Sequence, residues 1–152
     1  FIILMKKILL LFVFALSLYS CSDDEITDYT EQNETNIQNY LNDNNLSFNK
    51  TSTGLYYKIT SSGSGISPTF NSNVTLGYKG YLLDGTTFDE SSEATFNVGG
   101  VVPGFGEAVR LLRTGGSGTF ILPSRLGYGN SGSGQIKPGD VIIFDINLIS
   151  VN

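Results

Sequence analysis

No histidine and no tryptophan occur among the 152 residues, cysteine and methionine occur once each, and proline only four times. The missing imidazoles exclude the Ser-His-Asp and Cys-His forms of nucleophilic catalysis and the usual His-bearing zinc sites. A single thiol, Cys21, offers no partner for an intrachain disulfide, so the fold must be held by packing. Basic residues are also scarce, nine against fourteen acids for a net charge of −5. The clustered Lys/Arg footprint of a nucleic-acid binder is absent, and neither a metal nor a cofactor is expected.

Long apolar runs are absent too, apart from the opening "FIILMKKILLLFVFALSLYSC". Two lysines precede an apolar stretch from Ile8 to Leu16, and small or polar residues lead to Cys21. That is the shape of a signal peptide, with an apolar core too short to span a bilayer. Met5 reads as the natural start. The four residues "LYSC" resemble a bacterial lipobox, which implies residues 1–20 as leader and Cys21 as the lipidated new N-terminus, anchoring the protein at the outer membrane.

After Cys21, "SDDEITDYTEQNETNIQNYLNDNN" holds seven acids and no base. Self-repulsion favours an extended, solvated tether over residues 21–49. "CSDDE" resembles a surface-export signal of some lipoproteins, and it reads equally as plain linker. Within the tether, Ile37, Tyr40 and Leu41 recur at i, i+3, i+4, which predicts a short amphipathic helix from about Thr30 to Asn42 with a narrow stripe that docks weakly on the domain or on a partner.

From Lys50 to Asn152 the composition changes: seven bases balance seven acids, and glycine punctuates short apolar segments. Leu55–Thr60, Val74–Leu82, Thr95–Val98, Gly118–Leu122 and Val141–Ile149 read as strands. In the second, Tyr78 falls on the inner face, and in the last Ile142, Phe144, Ile146 and Leu148 face in. The pair Asp84-Gly85 is a hairpin signal. One helix interrupts the strands in "VVPGFGEAVRLLRTGG", with Phe105, Val109 and Leu112 on one face and Gly115 as its stop. The expected fold is α+β, an antiparallel sheet of five to six strands curled around one short helix. Periodicity alone reads Tyr78, Phe88, Phe105 and Phe144 as core, Asp89 as a turn cap and Tyr128 as a loop anchor.

The segments "VTLGYKGYLLDGTTFDESS", "VVPGFGEAVRLLRTGGSGTFILPSRLGYGNSG" and "IKPGDVIIFDINLISV" resemble, in order and spacing, the FKBP-type peptidyl-prolyl cis-trans isomerases. The resemblance implies a pocket for a proline ring, with Tyr78 and Phe88 as walls, Phe105 as floor where the family often has tryptophan, and Val101 and Val102 at the rim. It implies that the Val102 N–H and the Tyr128 hydroxyl serve substrate carbonyls, that Asp89 is the pocket's carboxylate, and that Ile136 and Phe144 complete the enclosure. The implied catalytic set is Tyr78, Phe88, Asp89 and Tyr128, without the arginine some relatives pair with the aspartate. Implied partners are proline-containing polypeptides and macrolide inhibitors, and a monomer is expected.

Such chemistry suits a chain so poor in nucleophiles. An X-Pro bond must cross a barrier of about 20 kcal/mol because amide resonance is lost as it twists. The twisted amide is less polar than the planar one, so a dry aromatic pocket stabilises it selectively. A proline-binding or chaperone-like module with weak catalysis is the alternative.

Overall fold

The structure, a computed structural model, describes residues 26–152. The leader and Cys21 lie outside the described residues. In chain order the elements are α1 (Thr30–Asp43), β1 (Asn49–Lys50), β2 (Tyr56–Ser61), β3 (Asn73–Leu82), β4 (Thr87–Asn97), α2 (Pro103–Arg110), β5 (Ser117–Leu122) and β6 (Ile142–Val151). The strands form one six-stranded sheet in the order β1-β2-β5-β6-β3-β4, antiparallel throughout. No described helix is long and apolar enough to cross a membrane.

Alternation along β6 sets the inner face. Ile142, Phe144, Ile146 and Leu148 are buried there with Leu76 of β3 and Phe120 and Leu122 of β5, and α2 lays Phe105, Ala108 and Val109 across them, with Leu112 just beyond its end. Pro103 opens α2, where a missing N–H costs nothing and the fixed φ suits a helix. This arrangement is the α+β fold expected from the sequence.

The hairpin β3–β4 turns at Asp84-Gly85. Gly85 takes a φ of +87°, its N–H donates to the Leu82 carbonyl at 2.9 Å, and the Thr86 N–H donates to Asp84 Oδ1 at 2.9 Å. The returning strand is longer than the short segment Thr95–Val98 expected from pattern. It begins at Thr87, eight residues before the expected segment, and runs to Asn97. Its burial pattern does not alternate cleanly, because the register slips twice, and this hid it from a period-two reading.

The outer face of the sheet is not bare. Ile37 and Leu41 of α1 are buried against Tyr56, Ile121, Val141 and Ile143. Weak docking of this helix was the expectation; the structure instead buries Ile37 completely. The narrow stripe suffices because polar groups anchor both flanks. On one, Glu34 accepts from Lys50 Nζ at 2.7 Å and from the Tyr56 hydroxyl at 2.6 Å, and Gln38 Nε2 donates to the same hydroxyl at 2.9 Å. On the other, the Asn33 side chain is buried and bonded to the sheet's loops.

The hydrogen bond from Lys50 and then that from Tyr56 hold the Glu34 carboxyl below the ordinary glutamate value of 4.5. A carboxylate depressed in the folded state adds stability that is present above its unfolded pKa and is lost as pH falls through the folded one. The thermal midpoint of the wild type should exceed that of Glu34→Gln at pH 7, with the difference shrinking as pH falls below about 4.5. Because the pair is exposed, the gap should be small, about 0–1 kcal/mol. Melting curves at pH 7 and pH 3 check it; a gap that does not narrow with acid would remove Glu34 from the anchor.

Candidate active site

The inner face leaves a recess beside the first turn of α2. It is a cavity of about 390 Å³ lined by Tyr78, Asp89, Phe96, Gly100, Val101, Val102, Phe105, Tyr128 and Phe144. Each residue arrives there for a local reason. Tyr78 follows Leu76 on the inward side of β3, and its partner on β6 is Ile146. Phe144 lies two residues earlier on β6, opposite Gly80, where a side chain would collide with both the Phe88 and Phe144 rings. Val101 and Val102 form the link between a single 3₁₀ turn (Val98–Gly100) and α2, and Phe105 occupies the first turn of that helix.

The lining is an aromatic cage. Phe105 meets Phe144 edge-to-face with ring centroids 4.8 Å apart, Phe96 at 5.8 Å and Tyr78 at 5.9 Å, while Tyr78 meets Phe96 at 5.6 Å. Edge-to-face pairs place ring hydrogens against ring faces, a favourable quadrupole arrangement that fixes ring orientation. The cage is therefore preformed.

The slip in register between Gly80 and Tyr81 answers why an aromatic stands directly before a carboxylate. Gly80 pairs with Asp89 and Tyr81 with Thr87, so Phe88 is the extra residue of a β-bulge. In a regular strand neighbouring side chains point to opposite faces; a bulge re-aims one of them. As a result Phe88 packs inward against Phe144, centroids 5.6 Å apart, while Asp89 also reaches the inner side. There Asp89 Oδ2 accepts a hydrogen bond from the Tyr78 hydroxyl at 2.6 Å. Burial first, then this hydrogen bond and the Asp89 charge, push the Tyr78 hydroxyl up to about 12. Tyr78 therefore stays a protonated donor throughout the neutral range.

Of the nine site residues expected from the sequence, seven meet at this cavity: Tyr78, Asp89, Val101, Val102, Phe105, Tyr128 and Phe144. Phe88 and Ile136 do not line it. Phe88 touches Phe144 instead, and Ile136 is buried in the inner core with the same cluster. Phe96 was missed: it stands on the strand side of the cage, and its only signal was an aromatic within the apolar alternation ending at Val98. Among the described residues no group of three or more acidic or cysteine side chains is placed to hold a metal ion.

A six-stranded antiparallel sheet over one short helix, with an aromatic cavity at the helix's first turn, defines an FKBP-like α+β domain. The chain belongs to the family of FKBP-type peptidyl-prolyl cis-trans isomerases, whose family model matches residues 65–149. It is 43% identical over 106 residues to the probable isomerase FkpA of Neisseria meningitidis serogroup B, covering 66% of this chain and 39% of that protein. The outer membrane protein MIP of Legionella longbeachae is 43% identical over 103 residues, covering 64% of this chain and 44% of that protein. Among solved structures, FkpA from Escherichia coli aligns over 97% of this chain and 72% of its own, with a TM-score of 0.74 at 28% identity. An isomerase from Pseudomonas syringae aligns over 81% and 96%, with a TM-score of 0.71 at 28% identity. The sequence match thus spans less than half the length of the Neisseria FkpA and of the Legionella MIP protein.

Proposed function

We propose that the chain is itself a peptidyl-prolyl cis-trans isomerase, with the aromatic cavity as its proline site. The observation that carries this reading is the cage of Tyr78, Phe96, Phe105 and Phe144 with a single hydrogen-bonded carboxylate at its edge. A proline ring seated on Phe105 places its preceding amide beside Tyr78 and Asp89. Planar, the amide is a strong dipole and loses hydration on entering the cage; twisted, it loses less, so the cavity lowers the barrier rather than merely binding. Among the described residues the Val102 N–H donates to no backbone carbonyl, which leaves it for a carbonyl of the substrate. Tyr128, which also lines the cavity, is the second donor to the peptide.

Asp89 is the one charge in the cage. Its field stabilises the positive end of the reorganising amide, while its bond to Tyr78 keeps that ring upright. The leader motif, with Cys21 as lipid acceptor, supports a place at the outer membrane, and a relative named as an outer membrane protein agrees with it. The substrates on this reading are exported polypeptides whose X-Pro bonds isomerise slowly.

NMR exchange spectroscopy on an Ala-Leu-Pro-Phe peptide tests the reading. The wild-type chain should accelerate cis-to-trans exchange, and Asp89→Ala should reduce kcat/KM by about tenfold or more, the worth of a hydrogen bond to a charged group. Peptide resonances that broaden without faster exchange would make the chain a proline-binding module instead.

A further inference from the structure

One buried polar side chain outside the cavity has no role in the chemistry above. Asn33, on the first turn of α1, is 1% exposed, the most completely buried polar side chain among the described residues. Its Oδ1 accepts from the Ser124 N–H at 2.6 Å and its Nδ2 donates to the Gly139 carbonyl at 2.8 Å. A backbone N–H can only donate and a carbonyl only accept, so this amide is held in one orientation.

Ser124 and Gly139 bracket the loop that carries Tyr128 and Ile136. The Gly129 N–H donates to the Ser124 carbonyl at 2.8 Å, and the Gly139 N–H donates to the Gly129 carbonyl at 2.9 Å. Together with the two bonds of Asn33 these close a ring: Asn33 to Ser124, Ser124 to Gly129, Gly129 to Gly139, Gly139 back to Asn33. Tyr128 is the residue next to one corner. Tyr29, just before α1, lays its ring against Gly139, whose φ of +82° and lack of a side chain permit that approach.

The loop's other hydrogen bonds run between its own residues: the Ser131 and Gly132 N–H groups donate to the Tyr128 carbonyl, and Ser133 and Ile136 pair with each other. Asn33 is thus the side chain that ties its two ends to α1. Gly129, Gly132, Gly134 and Gly139 all take positive φ, and such residues offer the chain maximal freedom when unrestrained. We propose that Asn33 is a positioning residue: by closing this ring from outside the sheet, it fixes the base of the loop and thereby the placement of Tyr128 over the cavity. The helix on the outer face thus governs a wall of the site on the inner face. The proposal rests on the functional reading above only where Tyr128 is given a task.

The test is a double-mutant cycle in the full chain, combining Asn33→Leu with Tyr128→Phe, read by peptide exchange and by amide hydrogen exchange. Asn33→Leu should lower kcat/KM on the order of tenfold, mainly in kcat. Its effect should nearly vanish in the Tyr128→Phe background, because residues acting as a unit are non-additive. Lys50→Ala, which loosens the other flank of α1, should leave the rate unchanged. If Asn33→Leu folds poorly, Asn33→Asp keeps the acceptor for Ser124 and removes the donor to Gly139, and should show the same non-additivity in a weaker form. Additive losses, or an unchanged rate in Asn33→Leu, would overturn the proposal. If the wild type proved inactive, the functional reading alone would fall. Protection of the Gly129 and Gly139 amides would then decide: its loss in Asn33→Leu supports the ring, and its persistence overturns it.

Discussion

Deleting residues before Leu46, and with them α1, should lower the stability of the chain by about 3–5 kcal/mol. Ile37 and Leu41 are aliphatic side chains whose removal from water is worth about 1.5–3 kcal/mol each. Their loss also uncovers Tyr56, Ile121, Val141 and Ile143 on the outer face of the sheet. The helix backbone adds little of its own, because its hydrogen bonds roughly offset the entropy of ordering it, so the loss is that of the buried face. For a domain of this size the thermal midpoint should fall by on the order of 10–20 °C. The exposed face, a contiguous apolar patch on a sheet, should also make the truncated chain prone to association. Thermal denaturation of the two chains, followed by circular dichroism, measures the first effect, and light scattering the second. An unchanged midpoint would mean that residues 50–152 are self-sufficient and that α1 belongs to the tether.

The elements carrying the site were legible in the sequence because their signals are local. Alternation along β6 announced Phe144, Asp84-Gly85 announced the hairpin, and i, i+4, i+7 spacing announced the face of α2 with Phe105. The order of these signals, rather than any one of them, pointed to the family. Less legible was whatever depended on a partner distant in sequence. The aromatic and the carboxylate of "FD" share a side only because of a bulge, whose signature is a register against β3 and not a pattern within β4. Phe96 reads as ordinary core until the cage is assembled.

The docking of α1 lay between these cases. Ile121-Leu122 and Ile142-Ile143 are neighbouring apolar pairs on β5 and β6, and since neighbours point to opposite faces, both faces of the sheet must be covered there. That requirement, combined with the apolar stripe of α1, would have placed the helix on the outer face. Asn33 gave no such signal. A buried asparagine in an acidic, asparagine-rich helix looks like its solvated neighbours until its two backbone partners, 91 and 106 residues away, are known.

Phe105→Ala is expected to be the most damaging single change to the site. Phe105 is 5% exposed and contacts three other rings, with Phe144 the nearest at 4.8 Å. Truncation opens the floor of the cavity into the core and removes dispersion contacts the surroundings cannot replace, so stability should drop by about 3–5 kcal/mol. Peptide isomerisation should fall further than stability explains, because the proline ring loses the surface on which it is oriented. Leu112→Ala separates the two effects. Leu112 is fully buried beyond the end of α2 and does not line the cavity, so its truncation should cost a comparable 2–5 kcal/mol. At a temperature where both variants are folded, Leu112→Ala should retain wild-type kcat/KM while Phe105→Ala loses on the order of a hundredfold. Denaturant unfolding and peptide exchange on the same samples provide both numbers. Equal rates in the two variants would place the proline elsewhere than on Phe105, and the aromatic cage would then be part of the core alone.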